Sequence, residues 1–193
     1  MAGRRLWQAA CLVMGGCCTV ALAYEVQHVQ VARDGEHYRL NMQVLLDTDA
    51  EAAFRTMQDV NNLPQINPSV IKVLPLHTAS SGEDVYTQVH LCIAFVCRTL
   101  AQVQNMTHSR GESGFLLQAI VDPERSNLKS GRARWHFSDC GEQQTCLAFE
   151  AELVPDFWVP PLLGPWLIQR SMKQEALVSS AGLERLTQES ARP

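Results

Sequence analysis

Two close pairs of cysteines and a scatter of single histidines are the residues of this chain whose types and spacing could do chemistry. The chain has 193 residues and seven cysteines. Cys92 and Cys97 stand in a C-x4-C spacing, Cys140 and Cys146 in C-x5-C. In an oxidising compartment each pair can close a small loop, and the pairings Cys92 to Cys97 and Cys140 to Cys146 need the least chain. A metal site is the rival reading. Zinc pairs usually sit two to four residues apart on tight knuckles, whereas the stretches here are strand-like on both sides. The disulfide reading predicts a fold that survives chelation.

The histidines are His28, His37, His77, His90, His108 and His136, none beside another. His90 and His136 fall on strand-like stretches where they could face inward. His90, with Tyr86 or Gln88 on one strand face, is the candidate for the acid or base of a cyclase-type aldol reaction. The bland alternative is a surface or satisfied polar histidine. The chain contains no Gly-x-Ser-x-Gly, no phosphate-cradling glycine loop and no His-x-x-x-His pair. Hydrolases, nucleotide enzymes and zinc proteases therefore lack support, and neither a cofactor nor a metal is expected.

The start of the chain reads as an export signal. Arg4 and Arg5 give a positive start, residues 6–23 are uncharged and largely apolar, and Ala21-Leu22-Ala23 is a small-x-small cleavage pattern. The expected division is a signal peptide over 1–23 and one domain over 24–193, exported to a bacterial periplasm. Two other readings stay open: the apolar stretch reaches the lower limit of a membrane span, and Met14-Gly15-Gly16-Cys17 loosely matches a lipobox that would anchor a lipoprotein through Cys17. Cleavage would remove Cys11, Cys17 and Cys18 and leave an even set of four cysteines.

The mature length suits one domain with a sizeable core, and no linker or internal repeat divides it. The full chain has 16 basic and 20 acidic residues, a net charge of -4, and loss of Arg4 and Arg5 takes it to -6. Such a surface does not favour phosphate backbones, so nucleic acid is not an expected partner.

The elements that must position these residues follow from period. Residues 24–32 and 38–46 alternate on either side of Asp34-Gly35, which predicts a hairpin. Asp47-Thr48-Asp49 offers N-cap chemistry to a short helix over 50–60, with Ala53, Phe54 and Met57 on one face. Leu63 and Ile66 suggest one further helical turn. Strands are predicted over 69–77, 84–92, 97–107, 114–121, 131–138 and 145–154, and their short links pair them antiparallel. Ala133, Trp135 and Phe137 would share a buried face with Leu147, Phe149 and Ala151, leaving Arg132, Arg134, Glu150 and Glu152 outside. A final helix over 162–186 gathers Ile168, Met172, Ala176, Ser179, Leu183 and Leu186 on one arc, with Arg170, Lys173, Gln174, Glu184 and Arg185 opposite. It would be roughly 37 Å long at 1.5 Å per residue.

This order of elements resembles the helix-grip fold of the START-like superfamily, also called SRPBCC. Residues 44–54, VLLDTDAEAAF, are similar to that family's opening strand and capped helix, and residues 60–68, VNNLPQINP, to its "D-x-x-x-L-P-x-x-x-P" segment. Arg134-Trp135-His136-Phe137 and residues 154–161, VPDFWVPP, resemble the penultimate strand and the helix entry of polyketide cyclase/dehydrase and coenzyme Q-binding members. The resemblance implies an α+β fold, a curved antiparallel sheet wrapped around a long C-terminal helix, and a cavity for a hydrophobic small molecule. An export signal, the four cysteines and an added first strand set this chain apart from the coenzyme Q-binding relatives.

The fold implied here would leave an apolar gap between sheet and helix, where a lipid or quinone-like molecule gains from leaving water. Trp135 and Phe149 are expected on one wall, with Ile168, Met172, Ala176 and Ser179 on the other; core packing is the plainer role for each. The stretch 157–166, FWVPPLLGPW, is either a membrane entrance using Phe157, Trp158 and Trp166 or a rigid helix lead-in. An exported binder or carrier is the leading expectation. A cyclase or dehydrase on the same fold, and a protein-interaction module with a fully packed core, are the alternatives.

Overall fold

A computed structural model describes residues 24–76, 82–93 and 96–192; the expected signal peptide, Cys17 and His77 lie outside them. Strand β1 (Glu25–Asp34) turns at Gly35 into β2 (His37–Leu46). Gly35 has φ 59°, the left-handed conformation glycine adopts without a Cβ penalty. Every second residue of β2 from Tyr38 to Leu46 is buried, whereas β1, at the sheet edge, is mostly exposed.

The capping chemistry works as the sequence predicts. The Asp49 side chain accepts a hydrogen bond from the Ala52 backbone N–H at 2.9 Å and starts α1 (Ala50–Gln58), which buries Ala53, Phe54 and Met57. The helix stops two residues short of the expected Val60, because the Asp59 side chain caps a separate 3-10 turn over Val60–Asn62. A short α2 (Leu63–Ile66) follows.

The remaining strands are β3 (Val70–Leu76), β4 (Glu83–Ile93), β5 (Val96–Gly111), β6 (Gly114–Asp122), β7 (Leu128–Gly141) and β8 (Gln144–Pro155). They form one antiparallel sheet in the order β1-β2-β8-β7-β6-β5-β4-β3. The register of β7 against β8 pairs Ala133 with Ala151, Trp135 with Phe149 and Phe137 with Leu147 on one face. Arg132 faces Glu152 and Arg134 faces Glu150 on the other. Glu152 also accepts from His37, and this hydrogen bond leads the causes that hold its carboxyl below the usual range.

The closing helix α3 runs over Gly164–Ser190, starting two residues later and ending four residues later than expected. Pro160 and Pro161 hold the approach out of helix, and Pro165 fits the first turn, where its missing N–H costs no hydrogen bond. At about 40 Å it crosses the curved sheet. Gly182 lets it approach α2 closely, since a Cβ there would overlap the Ile66 carbonyl. Glu184 departs from the expected polar face. It is buried, and its carboxylate accepts the Asp47 backbone N–H at 2.7 Å, because the β2–α1 turn packs over that side of the helix.

The packed part of the core lies under α1. Phe54 stacks on Phe115 with ring centroids 5.0 Å apart and meets Phe137 edge-on at 6.0 Å. Leu40, Leu46, Leu117 and Leu183 close around them.

Candidate functional site

Beyond that aromatic cluster the sheet and α3 separate, and a cavity of about 830 Å³ opens between them. The space exists because α3 turns small or slender side chains toward the sheet: Ser171, Ala176, Ser179 and Ser180 all line it. Opposite them stand Met42 of β2, Leu147, Phe149 and Ala151 of β8, Trp135 of β7, Val89 and Leu91 of β4, and Leu100 of β5. Trp135 and Phe149, paired across β7 and β8, stack at 5.0 Å and form a flat apolar floor. Ile168 and Met172 complete the helix side. All six wall residues named from the sequence thus border one space. A fully packed core, as the interaction-module alternative requires, is not what the chain builds.

One patch of wall is polar. Asn67, 6% exposed at the end of α2, donates through Nδ2 to Glu175 Oε2 and to Ser179 Oγ, both at 2.9 Å. Its Oδ1 accepts the Ser69 backbone N–H at 2.9 Å, which locks the amide orientation. Asn67 and Glu175 were missed in the sequence. The first reads as a turn residue before Pro68, the second as one polar position on a helix; only the fold brings them together with Ser179.

The mouth is built from two elements. The tip of the β4–β5 hairpin carries Cys92 and Cys97, directly paired and bonded with Cα atoms 4.0 Å apart. Next to it, the Arg98 guanidinium lies 4.0 Å above the Phe157 ring, which begins the segment leading into α3. Arg98 and Phe157 both line the cavity, as do Trp158, Leu162 and Leu163. Trp158 is 76% exposed and Leu162 92%. Trp166, also exposed, lies outside the cavity with Arg170 5.5 Å from its ring. The second pair, Cys140 and Cys146, is bonded at the β7–β8 turn with Cα atoms 5.5 Å apart.

His90 requires a correction. It is exposed, with Nδ1 2.9 Å from Thr99 Oγ1 and Nε2 3.3 Å from Cys92 Sγ, while its neighbours Val89 and Leu91 turn into the cavity. Gln88 Nε2 donates to Tyr86 Oη at 2.7 Å, so that pair is occupied with itself. Strand alternation places His90 on the outer face, and the cyclase reading loses the histidine it relied on. The cluster His90, Cys92 and Cys97 has the closeness of a metal site, yet its sulfurs are spent on each other and offer no thiolate. Among the described residues, no helix is long and apolar enough to cross a membrane.

No family model matches the chain, and no curated protein matches it in sequence. Solved structures do. The chain is similar to the Zhui aromatase/cyclase of Streptomyces sp. R1128, with a TM-score of 0.65 at 12% identity over 81% of this chain and 96% of that one. It is similar to a STAR-related lipid transfer protein from Xanthomonas axonopodis, TM-score 0.64 at 13% identity over 83% and 98%. A START superfamily protein from Mycobacterium smegmatis aligns with a TM-score of 0.60 at 14% identity over 77% and 98%. At such identities the likeness establishes the fold. The chain has the helix-grip fold of the START-like structures.

Proposed function

We propose that this protein is an exported binder or carrier of a hydrophobic small molecule, a lipid or quinone-like compound, held between the sheet and α3. The observation that carries the reading is the 830 Å³ cavity with a stacked Trp135–Phe149 floor and an exposed apolar mouth. A cavity of this size falls in the range that encloses drug-sized ligands. Transfer of each methylene from water is worth about 0.8 kcal/mol, so ten would supply about 8 kcal/mol before the cost of association. One neighbour is named for lipid transfer and another for aromatase/cyclase work; hydrophobic cargo suits both architectures.

Export is supported by the signal-like start and by two disulfide pairs, bonds that persist in oxidising compartments. The periplasm is the compartment proposed. The segment 157–166 serves as the entrance and touches the membrane transiently, with Phe157, Trp158 and Trp166 as its aromatic contacts.

Native mass spectrometry of protein purified from its own host tests the reading. The expected result is a co-purifying apolar compound that disappears in Met172→Trp, a variant that fills the cavity from its helix wall while the circular dichroism spectrum stays unchanged. Wild-type protein that arrives empty and takes up no added lipid overturns it.

A further inference from the structure

The polar patch inside the cavity can be read as a specification for one end of the cargo, an inference that rests on the binding role proposed above. Asn67 spends both amide hydrogens on its neighbours, one on Glu175 Oε2 and one on Ser179 Oγ. Two hydrogen-bonding groups remain. Glu175 Oε1 accepts from no group among the described residues, and the Ser179 hydroxyl, which accepts from Asn67, donates to none of them. Nor does any cation form an ion pair with the Glu175 carboxylate among the described residues.

Glu175 and Ser179 are four residues apart and therefore neighbours on one helix face. Since Oε2 and Oγ each lie 2.9 Å from the same nitrogen, they are close enough for a single ligand oxygen to reach both side chains. We infer that Glu175, Ser179 and Asn67 form a head-group anchor selective for a hydroxyl, and that the cargo is a lipid alcohol. A hydroxyl donates its hydrogen to the carboxylate and accepts the Ser179 hydrogen, satisfying both free groups at once. An ammonium answers only the carboxylate and leaves the serine hydrogen without an acceptor. A carboxylate answers only the serine and meets a like charge.

The position along the helix agrees with an inward head group. Glu175 lies eleven residues beyond Gly164, about 16 Å along the axis, so the apolar body of such a ligand occupies the space toward the mouth. Among quinone-like compounds, the same anchor takes the reduced, hydroxyl-bearing form in preference to the oxidised one.

Isothermal titration of the mature protein at pH 7 with 1-decanol, decylamine and decanoate tests this, because the three share one tail and differ at the head. Wild type is expected to bind decanol at least about tenfold more tightly than either decanoate or decylamine, the size of one charge-assisted hydrogen bond, and decylamine binding as tightly as decanol overturns the hydroxyl selectivity. Glu175→Gln, nearly the same shape but uncharged, is expected to bring decanoate to within about threefold of decanol. Ser179→Ala, which leaves the helix backbone alone, is expected to weaken decanol about fivefold. Equal affinities for all three ligands, unchanged in both variants, overturn the anchor while leaving the cavity reading intact. No binding of any of the three by wild type overturns both.

Discussion

Glu184 is a carboxyl group with 1% exposure in a helix that looks ordinary from its sequence. Burial, the largest cause, pushes its pKa above the ordinary 4.5; the Asp47 backbone N–H opposes this and the nearby Asp47 charge adds to it. A carboxyl whose folded value is raised binds its proton more tightly in the folded chain. Its contribution to stability is therefore complete below the ordinary value and is lost as pH rises through the raised one. Asp84 works in the opposite sense. Its pKa is lowered, first by the hydrogen bond from Asn105 and then by Arg125, so its stabilisation is present above the ordinary range and lost on acidification. Glu184→Gln separates the two: the amide oxygen still accepts from Asp47 and the buried charge is gone. Urea titrations from pH 3.5 to 8 are expected to give the variant the higher midpoint at neutral pH, with the gap closing below about 4.5. A constant gap would mean that Glu184 has the same pKa in the folded and the unfolded chain.

At the scale of elements, much of the fold was legible because sheet residues obey a two-residue period with chemically distinct faces. Arg132 and Arg134 opposite Glu152 and Glu150 fixed both the pairing and the outer face of β7 and β8. On β4 the same period did not say which face was inner. Val89 and Leu91 on either side of His90 carry that information, and reading the strand through its polar residues instead put the histidine on the wrong side. The capping of α1 by Asp49 was legible, since it is local chemistry; the burial of Glu184 was not, since it depends on a turn 137 residues away. The hairpin tip shows what local pattern can say about function. The Cys92–Cys97 bond stands beside Arg98, whose stacking on Phe157 joins the hairpin to the α3 lead-in, whereas Cys140–Cys146 lies at a turn that contributes no cavity wall. Closing so small a loop contributes about 2 kcal/mol in the chain-entropy account. Replacing either pair with alanines should thus lower thermal stability comparably, but only Cys92→Ala with Cys97→Ala should speed ligand release, measured by stopped-flow displacement. Equal release rates in the two double variants would mean that the hairpin does not control ligand exit.

For the whole molecule, the distribution of apolar surface poses a question that the cavity alone does not answer. A protein that encloses its cargo has no structural need to leave Trp158 and Leu162 in water, yet both project from the cavity mouth. Folding does not require them there: Pro160, Pro161 and Pro165 already define the path into α3. Their exposure makes sense if the mouth meets a lipid surface, since cargo that gains about 0.8 kcal/mol per buried methylene should not cross open water to reach its site. Arg98 and Arg170, each over an aromatic ring of this segment, place cations where phosphate head groups would lie. The chain as a whole carries a net charge of -4, so the mouth is the face an anionic bilayer repels least. Leu162→Asp tests this with little risk to the fold, because a side chain 92% exposed has few native contacts to lose. In vesicle sedimentation, Leu162→Asp and Trp158→Ala are each expected to weaken association about tenfold, the equivalent of one interfacial apolar side chain, with an unchanged melting temperature. Retained vesicle binding in both variants would confine this segment to its structural duty as the approach to α3.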